Sequence, residues 1–181
     1  MQPWKHLEET ETIKIGWRTL VRKTFERPDG IPAEYYTKDA LGARWAIVIA
    51  LTADKQVVIA EQFRPGPEMI FQDLPGGSVD KDEDPQATAL RELQEEAGYT
   101  SNDIEFLGNI RDSYSNATGY CYLAKNCFAI HDQKLEDGEF VNVKLISIDQ
   151  LFENGRKGEM GDQAGLFLAY DRLQKINQDA K

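Results

Sequence analysis

The reading of this chain turns on one stretch, GGSVDKDEDPQATALRELQEEAGY, residues 76–99. Its second half reads as a helix, Asp84 to Ala97. Asp84 can cap the N-terminus, Pro85 suits the first helical position, and Gly98 can close the C-terminus in a left-handed conformation. Leu90, Leu93 and Ala97, with Ala87 one turn earlier, form an apolar stripe. Glu92 and Glu96 lie four apart and Glu95 lies three from Glu92, so three carboxylates can project from one side. Like charges at that spacing destabilise an isolated helix by about a few tenths of a kcal/mol per pair, so the cluster needs a counter-charge. Arg91 can pair with Glu95 but cannot neutralise three acids. Residues 80–96 hold seven acidic side chains against two bases, Lys81 and Arg91. The ordinary account of such a run is a solvated acidic face. The alternative is a hard-cation site, with oxygen-only donors suited to Mg²⁺ or Mn²⁺ and no nearby His or Cys to favour zinc.

Working outward, strands surround this helix. Residues 11–27 read as one or two strands, Pro28-Asp29-Gly30 as a turn, and 33–36 as a further extended piece. The run 44–52 is almost wholly apolar and, with 56–63, forms a hairpin at the centre of a sheet. A Pro/Gly loop at 64–67 precedes a short strand at 69–74. Beyond the helix come strands at 104–110, 119–130 and 140–148, a short helix at 149–153, and a last helix at 162–177 with Leu166, Ala169, Tyr170 and Leu173 at helical spacing. The order predicts an α+β (mixed) sandwich on a central sheet.

Composition bounds the rest. The 181 residues, 41% hydrophobic and 29% charged, suffice for one domain with a small accessory element and speak against disorder. No apolar run is long enough to cross a membrane, and the polar, acidic start is unlike a signal peptide, so a cytoplasmic protein is expected. The net charge of -10 and the lack of a basic run argue against nucleic-acid and membrane partners. Cys121 and Cys127 share a face of one strand roughly 20 Å apart, too far for a disulfide; buried free thiols are expected.

The spacing Gly77, five residues, Glu83, seven residues, Arg91-Glu92-Leu93, one residue, Glu95-Glu96, one residue, Gly98-Tyr99 resembles the Nudix box, with Tyr99 the loosest fit. The resemblance implies a Nudix-type α/β/α sandwich with a central mixed sheet over residues 43–181, preceded by an N-terminal strand extension, 1–42. It implies a hydrolase of nucleoside diphosphates linked to another moiety. Glu92 and Glu96 would be the principal metal ligands, Glu95 an additional or bridging one, and the carbonyl of Gly76 a further one. Arg91 and Glu83 would be the supporting pair, Arg91 orienting the helix carboxylates and Glu83 anchoring the loop, while Gly77 would allow a tight turn. The general base of nucleotide-sugar members is often a glutamate on a late loop. Glu139 is the first choice here, Glu136 the second, and Glu95 the candidate within the box.

The segments 59–65 and 71–77 resemble those of the ADP-ribose and nucleoside diphosphate sugar pyrophosphatase branch, in which the arginine matching Arg64 reaches the substrate's phosphates. In that branch the N-terminal extension packs on a second subunit, which implies a homodimer. Trp17, Tyr35, Tyr36 and Trp45 are candidates to stack on a nucleobase, although more of them belong to a core or an interface. ADP-ribose members typically carry a proline where Tyr114 and Ser115 stand here, and Tyr114 approximates the tyrosine of dinucleoside polyphosphate hydrolases. The expected activity is therefore hydrolysis of nucleoside diphosphate sugars including ADP-ribose. The alternatives are a dinucleoside polyphosphate hydrolase and a non-catalytic nucleotide-sugar-binding module.

Overall fold

The computed structural model describes residues 2–179. Its elements, in chain order, are β1 (Lys5–Ile15), β2 (Arg18–Glu26), β3 (Pro32–Lys38), β4 (Arg44–Thr52), β5 (Val57–Arg64), β6 (Met69–Asp73), β7 (Gly76–Ser78), α1 (Pro85–Ala97), β8 (Tyr99–Thr100), β9 (Asp103–Ile110), β10 (Thr118–Ala129), β11 (Val141–Ile146), α2 (Ile148–Lys157) and α3 (Gln163–Asp179). They divide into two compact units. One comprises the N-terminal residues up to Arg44 with Arg111–Thr118, and the other Trp45–Ile110 with the chain from Gly119 onward.

The first unit is built on an antiparallel three-stranded sheet, β1-β2-β3, with one register shift between Leu7 and Thr10. Asn116 ties the 111–118 segment to it, bonding Thr37 and the Asp39 carbonyl, while the Lys38 N–H donates to the Tyr114 carbonyl at 2.8 Å.

The second unit carries the eight-stranded sheet, ordered β11-β5-β4-β10-β8, with β6 on β5, β7 on β4 and β9 on β10. The apolar run of β4 is continuous because both its faces are covered. Ile47, Ile49 and Leu51 pack with Val57, Ile59 and Leu123 under α2 and α3, against Leu151, Phe152, Ala169 and Leu173. Ala46, Val48 and Ala50 pack with Val58 and Tyr122 under α1, against Ala89, Leu93 and Ala97. This is a three-layer sandwich. It sets α1 on one face of the sheet, with its C-terminal half beside β7.

The local signals of α1 act as read. Asp84 accepts from the N–H groups of Gln86 and Ala87, and Gly98 closes the helix at φ 73°. The stripe is corrected: Ala89, not the exposed Ala87, shares the buried face with Leu93 and Ala97. Trp45 packs against the core, leaving no room for a side chain at position 119. Cys121 and Cys127 are free and buried. Among the described residues, no helix is long and apolar enough to cross a membrane.

Candidate active site

Three carboxylates on α1 meet three different environments. Arg91 is the hub. Its Nη1 donates to Glu92 at 2.9 Å and to Glu95 at 2.7 Å, its Nε to Glu83 at 3.1 Å, and its Nη2 to Glu83 and to the Ser78 carbonyl. Glu83 also accepts from the Thr88 hydroxyl and the Asp80 N–H, which fixes the 78–84 loop to the helix. The Arg91 guanidinium and then these further donors hold the Glu83 carboxyl down at about 2.

Glu96 is buried, at 6% exposure, and accepts from the Gly76 N–H at 3.0 Å. Burial, then the nearby charges of Glu92 and Glu139, push its carboxyl up to about 8 against the Gly76 bond and the more distant Arg64. Burial also raises Glu92, opposed by Arg91. Arg91 cannot offset Glu83, Glu92, Glu95 and Glu96 together, so the site keeps an excess of negative charge.

The glycines of the loop are needed for closeness. Gly77 lies in β7 rather than in the tight turn implied by the sequence. A Cβ there would sit 2.3 Å from Glu92 Oε1, and one at Gly76 would sit 2.4 Å from the Ala46 carbonyl. The 76–77 backbone thus presses directly against the acidic helix.

Two further groups enter from outside the helix. The Nε of Arg64, at the end of β5, donates to Asp73 Oδ2 at 2.7 Å, and among the described residues the terminal nitrogens of its half-exposed guanidinium remain available to an anion. Asp73 is buried and also accepts from the Gly161 N–H at 2.7 Å. Glu139, in the loop before β11, accepts from the Glu136 N–H at 2.9 Å, and its charge acts on both Glu92 and Glu96. The second unit therefore brings together Arg64, Gly76, Gly77, Glu83, Arg91, Glu92, Glu95, Glu96 and Glu139, while Glu136 supports Glu139 through its backbone.

Trp17 and Tyr114 belong to the first unit. Trp17 is 82% exposed, with the Arg18 guanidinium 3.9 Å over its ring. Tyr114 lines a cavity of about 470 Å³ with Trp4, Lys23, Phe25, Tyr35 and Asn116. Sequence reasoning missed Asp73. Asp73 had one available signal, a carboxylate ending an apolar strand just before Leu74-Pro75.

The family profile described as the NUDIX domain matches residues 42–166. This chain belongs to the Nudix family. An ADP-ribose pyrophosphatase of Bacillus subtilis (strain 168) is 28% identical over 138 residues, 74% of this chain and 75% of that one. A methanol dehydrogenase activator of Bacillus methanolicus is 33% identical over 109 residues; the match spans 59% of this Nudix chain and 59% of the activator's length. The solved structure described as an ADP compounds hydrolase superposes with a TM-score of 0.79 over 97% of each chain, at 19% identity, and shows the same fold.

Nudix hydrolases generally use divalent metal ions. Among the described residues, no three His, Cys, Asp or Glu side chains are gathered into a ready-made metal cage. Arg91 pairs with two of the candidate ligands, Glu92 and Glu95. The donor set nonetheless fits a hard divalent cation. It is oxygen only, it holds a buried carboxyl in Glu96 among like charges, and the glycine pair lets the loop backbone approach it.

Proposed function

We propose that this Nudix protein is a metal-dependent pyrophosphohydrolase of nucleoside diphosphate sugars such as ADP-ribose. Water adds across the diphosphate, giving a nucleoside monophosphate and a sugar phosphate. The observation that carries this reading is the excess negative charge around the buried Glu96, set beside the half-exposed guanidinium of Arg64. The B. subtilis pyrophosphatase among its relatives supports the substrate class.

Glu92, Glu95 and Glu96, with the Gly76 carbonyl, would hold Mg²⁺ or Mn²⁺. The cation supplies charge neutralisation at the phosphate oxygens and a lowered pKa for the attacking water. Glu83 and Arg91 keep the helix carboxylates and the loop in register. Arg64, aimed by Asp73, binds the diphosphate. Glu139 accepts the proton of the attacking water, with Glu136 ordering its loop. Trp17 and Tyr114 are proposed to contact the nucleoside end. The Nudix domain is taken as 43–181 and the strand extension 1–42 as the contact of a homodimer. The acidic surface and free thiols support a cytoplasmic protein with small-molecule rather than nucleic-acid partners.

A product-resolved screen of nucleotide sugars, dinucleoside polyphosphates and nucleoside triphosphates with Mg²⁺ tests the reading. ADP-ribose or a related sugar is expected to turn over fastest, and chelator is expected to abolish the reaction. Turnover confined to dinucleoside polyphosphates would replace the substrate, and binding without turnover would make the chain a sensor. In the same assay Glu139→Gln is expected to lower kcat by about 10²–10⁴-fold with little change in KM. Wild-type turnover by that variant would remove Glu139 as the base.

A further inference from the structure

The geometry points to Gln133 as a positioning residue that sets the Glu139 loop against the carboxylates of α1. This rests on the reading of Glu139 as the base. The last turn of a helix leaves carbonyls without partners inside the helix. Here the carbonyls of Glu95 and Glu96 are taken by the segment that leads into the loop. The Lys134 N–H donates to the Glu95 carbonyl at 2.8 Å, and the Gln133 side-chain amide donates to the Glu96 carbonyl.

The same amide nitrogen donates to the Val141 carbonyl at 3.1 Å. A primary amide has two N–H donors, and both are used. One ties the loop's entry to a residue whose carboxylate lies in the site, and the other ties it to the loop's exit, the first residue of β11. The intervening residues, 134–140, carry Glu136 and Glu139. Gly98 permits the approach: the Ile130 N–H donates to the Gly98 carbonyl at 2.8 Å, and a Cβ at Gly98 would sit 2.2 Å from the His131 carbonyl. The clamp joins the base loop to α1 through backbone carbonyls at both of its ends.

A double-mutant cycle tests this. Gln133→Met keeps the length and loses both donors. Alone it is expected to lower kcat about tenfold, with KM and the metal concentration for half-activation unchanged. In the Glu139→Gln background it is expected to cost less than twofold, because the group it positions is gone. Gln133→Asn, too short by one methylene to span both carbonyls, is expected to give the same result and serves if the Met variant does not fold. Wild-type kcat in the Gln133 variants, or a tenfold loss persisting in the Glu139→Gln background, overturns the clamp. Glu139→Gln with unchanged kcat instead removes the reading of Glu139, and the cycle is then run on Glu136→Gln. A Gln133 loss that persists there too overturns the clamp on either base, and so does unchanged kcat in both glutamate variants.

Discussion

Glu96 sits where a free carboxylate costs stability, and where the proposed cation would relieve that cost. It is buried, it accepts from the Gly76 amide, and Glu92 and Glu139 add repulsion. A carboxyl whose folded pKa lies above its unfolded value keeps its full stability contribution only below the unfolded pKa. It loses that contribution as pH rises towards the folded value, here about 8. Near neutral pH and without metal, Glu96 therefore costs stability. Glu96→Gln retains an acceptor for the Gly76 N–H and removes the charge. In chelator at pH 8 the variant is expected to melt higher than wild type, at about 2–4 °C per kcal/mol for a chain of this size. With Mg²⁺ its kcat is expected to fall by about 10³-fold or more, since several kcal/mol of charge stabilisation depends on the ligand set. A scanning-calorimetry pair with and without metal, beside the activity assay, checks both halves. An unchanged kcat would remove Glu96 from the ligand set.

Elements fix where such residues stand, and here the hydrogen bonds run across the sequence. The 159–162 segment between α2 and α3 is stitched to the end of β6 by three bonds. The Gln72 N–H donates to the Glu159 carbonyl at 2.9 Å, the Gly161 N–H to Asp73 at 2.7 Å, and the Leu74 N–H to Asp162 at 3.2 Å. Burial, then the charge of Asp73, pushes the Asp162 carboxyl up to about 7. By the same sign rule its contribution is complete below about pH 4 and is lost as pH rises through 7. Wild-type Tm is therefore expected to drop between pH 5 and pH 8 more than that of Asp162→Asn, which keeps an acceptor and cannot ionise. Parallel curves for the two proteins would show that Asp162 ionises freely. None of this stitching was legible in the sequence, because each bond joins segments some 88 residues apart. What was legible is local. The caps of α1 and the two-faced apolar run of β4 depend only on neighbours in sequence, and the box is a fixed spacing. β7 was missed because two glycines give no apolar alternation. The short helix expected at 149–153 runs over Ile148–Lys157, because Asn154 is buried and bonded to Gln72 and Gln150, and Gly155 leaves room for Leu166.

At the scale of the whole molecule, charge and exposed apolar surface pull in different directions. A net charge of -10 repels an anionic diphosphate, so under the proposed function the attraction has to be local, from Arg64 and a divalent cation held by the α1 carboxylates. The same charge repels a second copy of the chain, and association then has to come from apolar burial. The first unit offers it. Ile15, Trp17, Ile31, Tyr36 and Leu41 are all exposed, and among the described residues β1 pairs with β2 at one edge of the three-stranded sheet. Singly exposed apolar residues are ordinary, but several in one small sheet unit with an edge strand are the kind of surface that pairs. The homodimer is accordingly expected to form through this unit, and its apolar basis predicts that moderate salt strengthens it by screening the like charges. Light scattering at micromolar concentration is expected to give twice the chain mass. The double variant Ile15→Asp with Trp17→Asp is expected to shift the protein to a monomer whose second unit keeps its melting transition. A wild-type chain that is monomeric at that concentration and fully active would show that the exposed sheet serves neither assembly nor catalysis.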